Sequence, residues 1–531
     1  MASVSRAWSL VVAVACAAVV CVSGGAGVEE AVGEEPGCAD GTSVRAPDGS
    51  VCGLVGNGVR SYLGVPYAQP PVGESRWRAP VRVSPWSGTL AATRPGSRCP
   101  QPGSGDENCL FLNVRVPQGE FPRPLPVMVQ LHGGGFLLFG PSDGTRLAAG
   151  GAVINVEVHY RLGIMGFFTA KELGEHAGNY AIQDQQEALR WVRRNISAFG
   201  GDPGNVTIYG ASAGGSSVCA QLVSPASRGL FHKGIIQSGF YNSLRGKDTS
   251  WQAQDCKARW PSEEEAQAAG ARFAAAVGCG GVADVAGCLR KVPAAKLVDQ
   301  AGNGMGVASG TIAPVVDGVT IPLAPADAIR TGRLNRAVVM NGVARDDVQL
   351  AAAETPERYR ELVREQYGEY ADEVFARYPL ERFPEPSPFL AYRTITADAN
   401  SVCPSLRASR QLSRHLTVFL YQVDNPDSPP AGWLDQTKPN GAFHVSENSF
   451  LFAPVGTAWN PNQTVYGRQL VAQWTGFART GNPTVPGTPL WTPFTRDDQR
   501  ALALLPAGNS VLTGEIGEQH QCDFWDSVAR D

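Results

Sequence analysis

The chain has 531 residues, 43% of them hydrophobic, and a formal net charge of −4. That size and balance describe a globular protein able to bury a large core, as one large domain or as two to three average ones. The near-neutral charge gives no electrostatic reason to expect nucleic acid or an anionic membrane as a partner.

In chain order, the first segment is a leader. Arg6 supplies a positive start, residues 7–22 ("AWSLVVAVACAAVVCV") an apolar run, and residues 23–27 ("SGGAG") small residues for cleavage. Residues 1–27 therefore read as a secretory signal and are set aside from the fold. A retained anchor is the competing reading, but the run is short against the roughly 20 residues a bilayer span needs. No later segment is long and apolar enough to span a membrane, so the expectation is an exported protein. Residues 28–531 are expected to form a single catalytic domain.

The remaining elements alternate. "LPVMVQLHGGGF" (125–136) and "GAVINVEVHYRLG" (151–163) read as buried strands that end in glycine-rich loops. Residues 181–199 carry helical spacing through Ile182, Leu189, Val192 and Ile196. "NVTIYG" (205–210) is a third strand, with a helix starting after Ser212 over 213–224, and "GIIQSG" (234–239) and "RAVVMNG" (336–342) are further short strands. Strands alternating with helices predict an α/β fold with a large, mostly parallel sheet and helices on both faces. Residues 240–335 and 350–400 are helix-rich and charged, and are expected to be insertions that cap the sheet. Functional sites in such sheets form beyond the carboxyl ends of the strands.

Three loops there carry chemistry. "GASAG" (210–214) places Ser212 on a strand-to-helix turn, where a nucleophile stands clear of the sheet and Gly210 and Gly214 relieve crowding. The Ala213 N–H then lies at a helix N-terminus and faces a developing oxyanion. "HGGGF" (132–136) offers two more donors, the N–H groups of Gly134 and Gly135. A serine needs a base, and the base needs an orienting acid, in the chain order Ser, acid, His for this fold.

Four histidines follow Ser212: His232, His415, His444 and His520. His232 reads as a helix-to-strand residue, His415 as a solvated helix end, and His520 as part of a polar tail. His444, on a loop after the strand 416–423, has the position expected of the base. For the acid, Asp346 and Asp347 follow the strand at 336–342, in "AVVMNGVARDDVQL" (337–350), and Asp347 is favoured. Asp317, which looks like a turn residue, and Asp424 remain competitors.

Twelve cysteines are present, two of them, Cys16 and Cys21, in the leader. The short-loop pairs 38/52, 99/109 and 279/288 suit disulfides in an oxidising compartment. No C-x-x-C occurs and no histidines cluster beside the cysteines, which argues against a zinc site.

Several stretches together resemble the type-B carboxylesterase and cholinesterase family of α/β-hydrolases. They are "YLGVPYAQPPVGESRWRAP" (62–80), "DENCLFLNV" (106–114), "QLHGGGF" (130–136), residues 179–215, "GAFHVSE" (441–447) and "CDFWD" (522–526). The resemblance spans nearly all of residues 40–531. It implies a Ser212–His444–Asp347 triad, an oxyanion hole from Gly134, Gly135 and Ala213, and the disulfides Cys99–Cys109, Cys279–Cys288 and Cys403–Cys522. Cys38–Cys52 would be a fourth, leaving Cys219 and Cys256 free. It also implies a buried Arg76–Glu107 ion pair and a role for Ser238 near the histidine.

The departures are informative. Ala211 stands where the family usually has Glu, and the acid is Asp347 rather than Glu. The loop 100–108 holds no aromatic residue to face a quaternary ammonium, which argues against a choline ester specialist. The expected activity is that of a serine carboxylesterase acting on small-molecule esters, with no metal or organic cofactor. A lipase for longer-chain glycerides, amidase or carbamate hydrolysis on the same triad, and a silent binding protein on the same fold are the alternatives. The natural ester and the oligomeric state are left open by the sequence.

Overall fold

The structure, a computed structural model, describes residues 37–239, 260–302, 313–347 and 352–528. The expected leader and Cys256 lie outside these residues.

Uninterrupted apolar runs make the centre of the molecule. β7 (Leu125–Leu131), β8 (Ile154–Val158) and β10 (Lys233–Gln237) are buried along their whole length, as strands covered on both faces must be. With β9 (Gly201–Ala211), β11 (Val338–Ala344), β12 (Thr417–Val423) and β13 (Ala501–Leu504) they pair in parallel. Antiparallel strands extend the two edges: β6 (Phe111–Pro117), β4 (Val59–Pro66) and β3 (Leu54–Gly56) on one, β14 (Val511–Thr513) on the other. The sheet has 11 strands in the order β14-β13-β12-β11-β10-β9-β7-β8-β6-β4-β3. A second sheet joins β1 (Val44–Ala46), β2 (Gly49–Cys52) and β5 (Thr89–Ala91). This is the expected α/β-hydrolase architecture.

Alternation of side chains separates two cores. Val127, Val129, Ile208, Ile236 and Val339 point to one face, where Ile182, Leu189 and Val192 of the helix Tyr180–Asn195 and Val218 of the helix Ala213–Val223 meet them. Met128, Tyr209, Ile235, Met340 and Tyr421 point to the other, under Tyr466, Leu470, Trp474 and Phe477 of the helix Pro461–Thr480. Each such side chain contributes about 1.5–3 kcal/mol on burial. The 20-residue helix Pro461–Thr480, bounded by an Asn460–Gln463 capping box and a left-handed Gly481, and the strands β13 and β14 were not foreseen.

The described part of 240–335 holds four helices, Glu263–Ala276, Val285–Lys291, Ala294–Ala301 and Pro325–Thr331. Ser262 and Glu265 form a capping box that starts the first. Helices Pro356–Tyr367, Ala371–Arg377 and Ser387–Ala397 follow β11.

Disulfides join Cys38 to Cys52, Cys99 to Cys109, Cys279 to Cys288 and Cys403 to Cys522. One expectation is overturned: Cys219 is not free but disulfide-bonded, to a partner outside the described residues. Cys219 sits buried on the helix that follows Ser212.

Candidate active site

The turn that carries Ser212 is forced by crowding. β9 ends at Ala211, the helix begins at Ala213, and Ser212 between them has φ 58° and ψ −125°. A non-glycine residue held there stores of order 1–3 kcal/mol. Hydrogen bonds fix it: Ser212 N–H donates to the Gln237 carbonyl at 2.9 Å, and Ser216 N–H to the Ser212 carbonyl at 2.9 Å. The neighbouring glycines are steric requirements. A Cβ on Gly210 would run into the Leu131 carbonyl and the Gly214 backbone, and one on Gly215 would sit 2.8 Å from Gly239 Cα.

The glycine triplet lies directly against this turn. A Cβ on Gly133 would fall 2.6 Å from the Ala211 carbonyl oxygen and 3.4 Å from Ser212 Cβ. Gly134 and Gly135 have φ of 104° and 64°, and the Gly134 carbonyl accepts from the N–H groups of Leu137 and Leu138 at 2.9 and 3.0 Å. Burial holds the adjacent His132 neutral, its pKa pushed down to about 3.

Among the described residues, Asp347 is the carboxylate that meets His444. It follows β11, its side chain is fully buried, and its Oδ1 pairs with His444 Nδ1. Its second oxygen has no partner among the described residues. Asp346 points elsewhere and fastens the two loops together. Its N–H donates to the Ala442 carbonyl at 3.0 Å and its carboxylate accepts from Ala442 N–H at 2.9 Å. Arg393, from the helix Ser387–Ala397, donates to the carbonyls of Asp346 (3.0 Å) and Pro439 (2.5 Å), so both loops hang on one buried guanidinium. Asp424 is engaged by Arg345 at 3.1 Å. Asp317 accepts the N–H groups of Val319 and Ile321, the turn role its context indicated.

Gln237 links the serine turn to the histidine loop. Its carbonyl holds Ser212, while its side-chain amide donates to Glu447 at 3.0 Å, three residues beyond His444. Burial raises the Glu447 pKa above the usual carboxylate range. Ser238 is buried with φ 44°, and its hydroxyl has no partner among the described residues. None of Gln237, Glu447 and Arg393 stood out in the sequence, because their partners lie far away along the chain.

The other histidines are placed as follows. His232 Nδ1 accepts Val206 N–H at 3.1 Å near the start of β10, and His415 is exposed. His520 departs from its reading as part of a polar tail. It is buried, with Nδ1 on Asp398 at 2.5 Å and Nε2 facing Gln422 at 2.6 Å. Arg76 and Glu107 form the expected ion pair at 2.5 Å, and Arg76 also donates to the Arg290 and Val292 carbonyls at 3.1 and 2.6 Å.

A largely open recess of about 440 Å³ lies between Leu125 and Gly201–Pro203, at the starts of β7 and β9. It is at the opposite end of those strands from Ser212.

Residues 40–525 match the family model described as the carboxylesterase family. The chain is 31% identical over 495 residues to the para-nitrobenzyl esterase of Bacillus subtilis (strain 168), covering 86% of this chain and 93% of that one. It is 29% identical over 530 residues to the acylcarnitine hydrolase of Mus musculus, covering 88% of this chain and 86% of the relative. The chain therefore belongs to the carboxylesterase family, hydrolases that act on carboxylic ester bonds.

Proposed function

We propose that the protein hydrolyses small-molecule carboxylic esters through an acyl-enzyme on Ser212. His444 Nε2 takes the hydroxyl proton as Ser212 Oγ attacks the ester carbonyl. Asp347, bonded to His444 Nδ1, fixes the imidazole tautomer and stabilises the imidazolium. The tetrahedral oxyanion is held by the N–H groups of Gly134, Gly135 and Ala213. Collapse breaks the carbon–oxygen bond, and His444 returns its proton to the leaving alcohol. The same imidazole then deprotonates water, which attacks the acyl carbon and releases the acid and free Ser212.

The observation that carries this reading is the pairing of a fully buried Asp347 with His444, on a loop that Gln237 ties to a serine held at positive φ on a strand-to-helix turn. We also read residues 28–531 as one catalytic domain and the protein as exported, a reading the disulfides support.

The test is hydrolysis of p-nitrophenyl esters with two- to sixteen-carbon acyl chains by the wild type and by Ser212→Ala. Activity that disappears in the variant supports the nucleophile. A maximum at short, soluble chains supports the esterase reading, and a rise only above the solubility limit of long chains supports a lipase. Equal activity in both proteins contradicts the assignment of Ser212.

A further inference from the structure

The loop His132–Gly135 must hold its donors still if it is to stabilise an oxyanion, yet its three glycines give it little stiffness of its own. What holds it is an aromatic side chain just beyond β8. Tyr160 is fully buried, its ring stacks on the His132 imidazole at 4.3 Å with an interplanar angle of 22°, and its hydroxyl donates to the His132 carbonyl at 2.5 Å. His132 in turn reaches forward: Nδ1 lies 2.8 Å from the Gly133 carbonyl. A carbonyl only accepts, so Nδ1 carries the proton in this bond. In a trans peptide the carbonyl and the next N–H point in opposite directions. Fixing the Gly133 carbonyl therefore fixes the direction of the Gly134 N–H.

The other side of Tyr160 is tied to the nucleophile's own helix. Gln185 Nε2 donates to Ser217 Oγ at 3.0 Å, and Ser217 is near enough to the Tyr160 oxygen to oppose the rise that burial imposes on the tyrosine's pKa. Ser217 lies on the helix Ala213–Val223, whose first residue carries the third expected donor. Tyr160 thus donates to the His132 carbonyl from a place beside Ser217, which Gln185 holds. Burial raises the Tyr160 pKa, so the hydroxyl remains a donor throughout the neutral range.

We infer that Tyr160 is a positioning residue for the oxyanion hole, locking the glycine loop to the nucleophile helix through His132 and Ser217. This rests on the Ser212 mechanism proposed above.

Tyr160→Phe deletes the hydroxyl and keeps the stacked ring. The expected result is a kcat about ten- to a hundredfold lower with KM changed less than about twofold. Inhibition by a trifluoromethyl ketone, whose adduct on serine carries the oxyanion, should weaken by a similar factor. Ser217→Ala should show a smaller loss of the same kind, and the double variant should be no worse than Tyr160→Phe alone. If Tyr160→Phe fails to fold, Ser217→Ala carries the same test.

Wild-type kcat and ketone affinity in Tyr160→Phe would overturn the inference. So would a fall in melting temperature with kcat per folded enzyme intact. Ser212→Ala run in parallel separates the two ideas. A dead Ser212→Ala beside a fully active Tyr160→Phe removes only the role of Tyr160, whereas an active Ser212→Ala removes the mechanism beneath it.

Discussion

Asp347 is one methylene shorter than the glutamate usual in the family, and the structure shows how the gap to His444 is closed. The neighbouring Asp346 draws the acid loop onto Ala442, two residues before the histidine, through a paired set of backbone and carboxylate bonds. The shorter acid meets the histidine across two loops that are bonded to each other. Asp347→Asn should keep the shape but lose the tautomer control, lowering kcat by about 10³–10⁴ with little change in KM. Asp347→Glu must push the loops apart and should lose activity despite keeping the charge. Steady-state kinetics on p-nitrophenyl acetate checks both, and a fully active Asp347→Asn would remove the acid from the mechanism. At this scale the turn at Ser212 and the loop of Asp347 were legible because each follows an apolar strand, whereas His444 lies well past β12 and stands out only by elimination among four histidines. His520 was not, since what buries it is Asp398, 122 positions away along the chain.

Among the elements, legibility followed the pattern of burial. β7 and β8 are buried on both faces and so appear as unbroken apolar runs, readable from a single segment. β9 begins four residues before the expected strand because Gly201 pairs with Leu125 of β7, ahead of a register shift, in a stretch whose polar and proline content hides it. β13 has four residues, and only its partners mark it as a strand. The C-terminal elements are fastened by Cys403–Cys522, which joins the helix Cys403–Leu412 to the helix Cys522–Val528 across 119 residues. A link across so long a loop restricts the unfolded chain strongly, by about 2–5 kcal/mol. Replacing both cysteines with alanine should lower the melting temperature by several degrees and leave kcat at 25 °C within about twofold. Calorimetry and initial rates read these two quantities, and an unchanged melting temperature would contradict the expected contribution.

Over the whole molecule, burial of uncharged imidazoles sets the response to acid. Burial pushes the pKa of His132 down to about 3 and that of His159 to about 4, the latter helped by Arg98. In the unfolded chain both titrate near 6.5. Between those values the unfolded state binds more protons than the folded one, so stability rises with pH there. The contribution is fully present above about pH 6.5 and is lost as pH falls through 4 towards 3. The melting temperature should therefore fall steadily below pH 6.5, and His159→Gln should flatten that slope. A melting temperature independent of pH between 6.5 and 4 would contradict the buried neutral state of both rings.

Ester cleavage as proposed above requires Ser212 to be the activated nucleophile. Its most direct test is reaction of the folded wild type with a fluorophosphonate, followed by intact mass measurement and peptide mapping. The expected result is a single adduct on Ser212, formed in step with loss of esterase activity and absent in His444→Ala on the same timescale. An adduct at another residue, or full esterase activity in unlabelled Ser212→Ala, would contradict it.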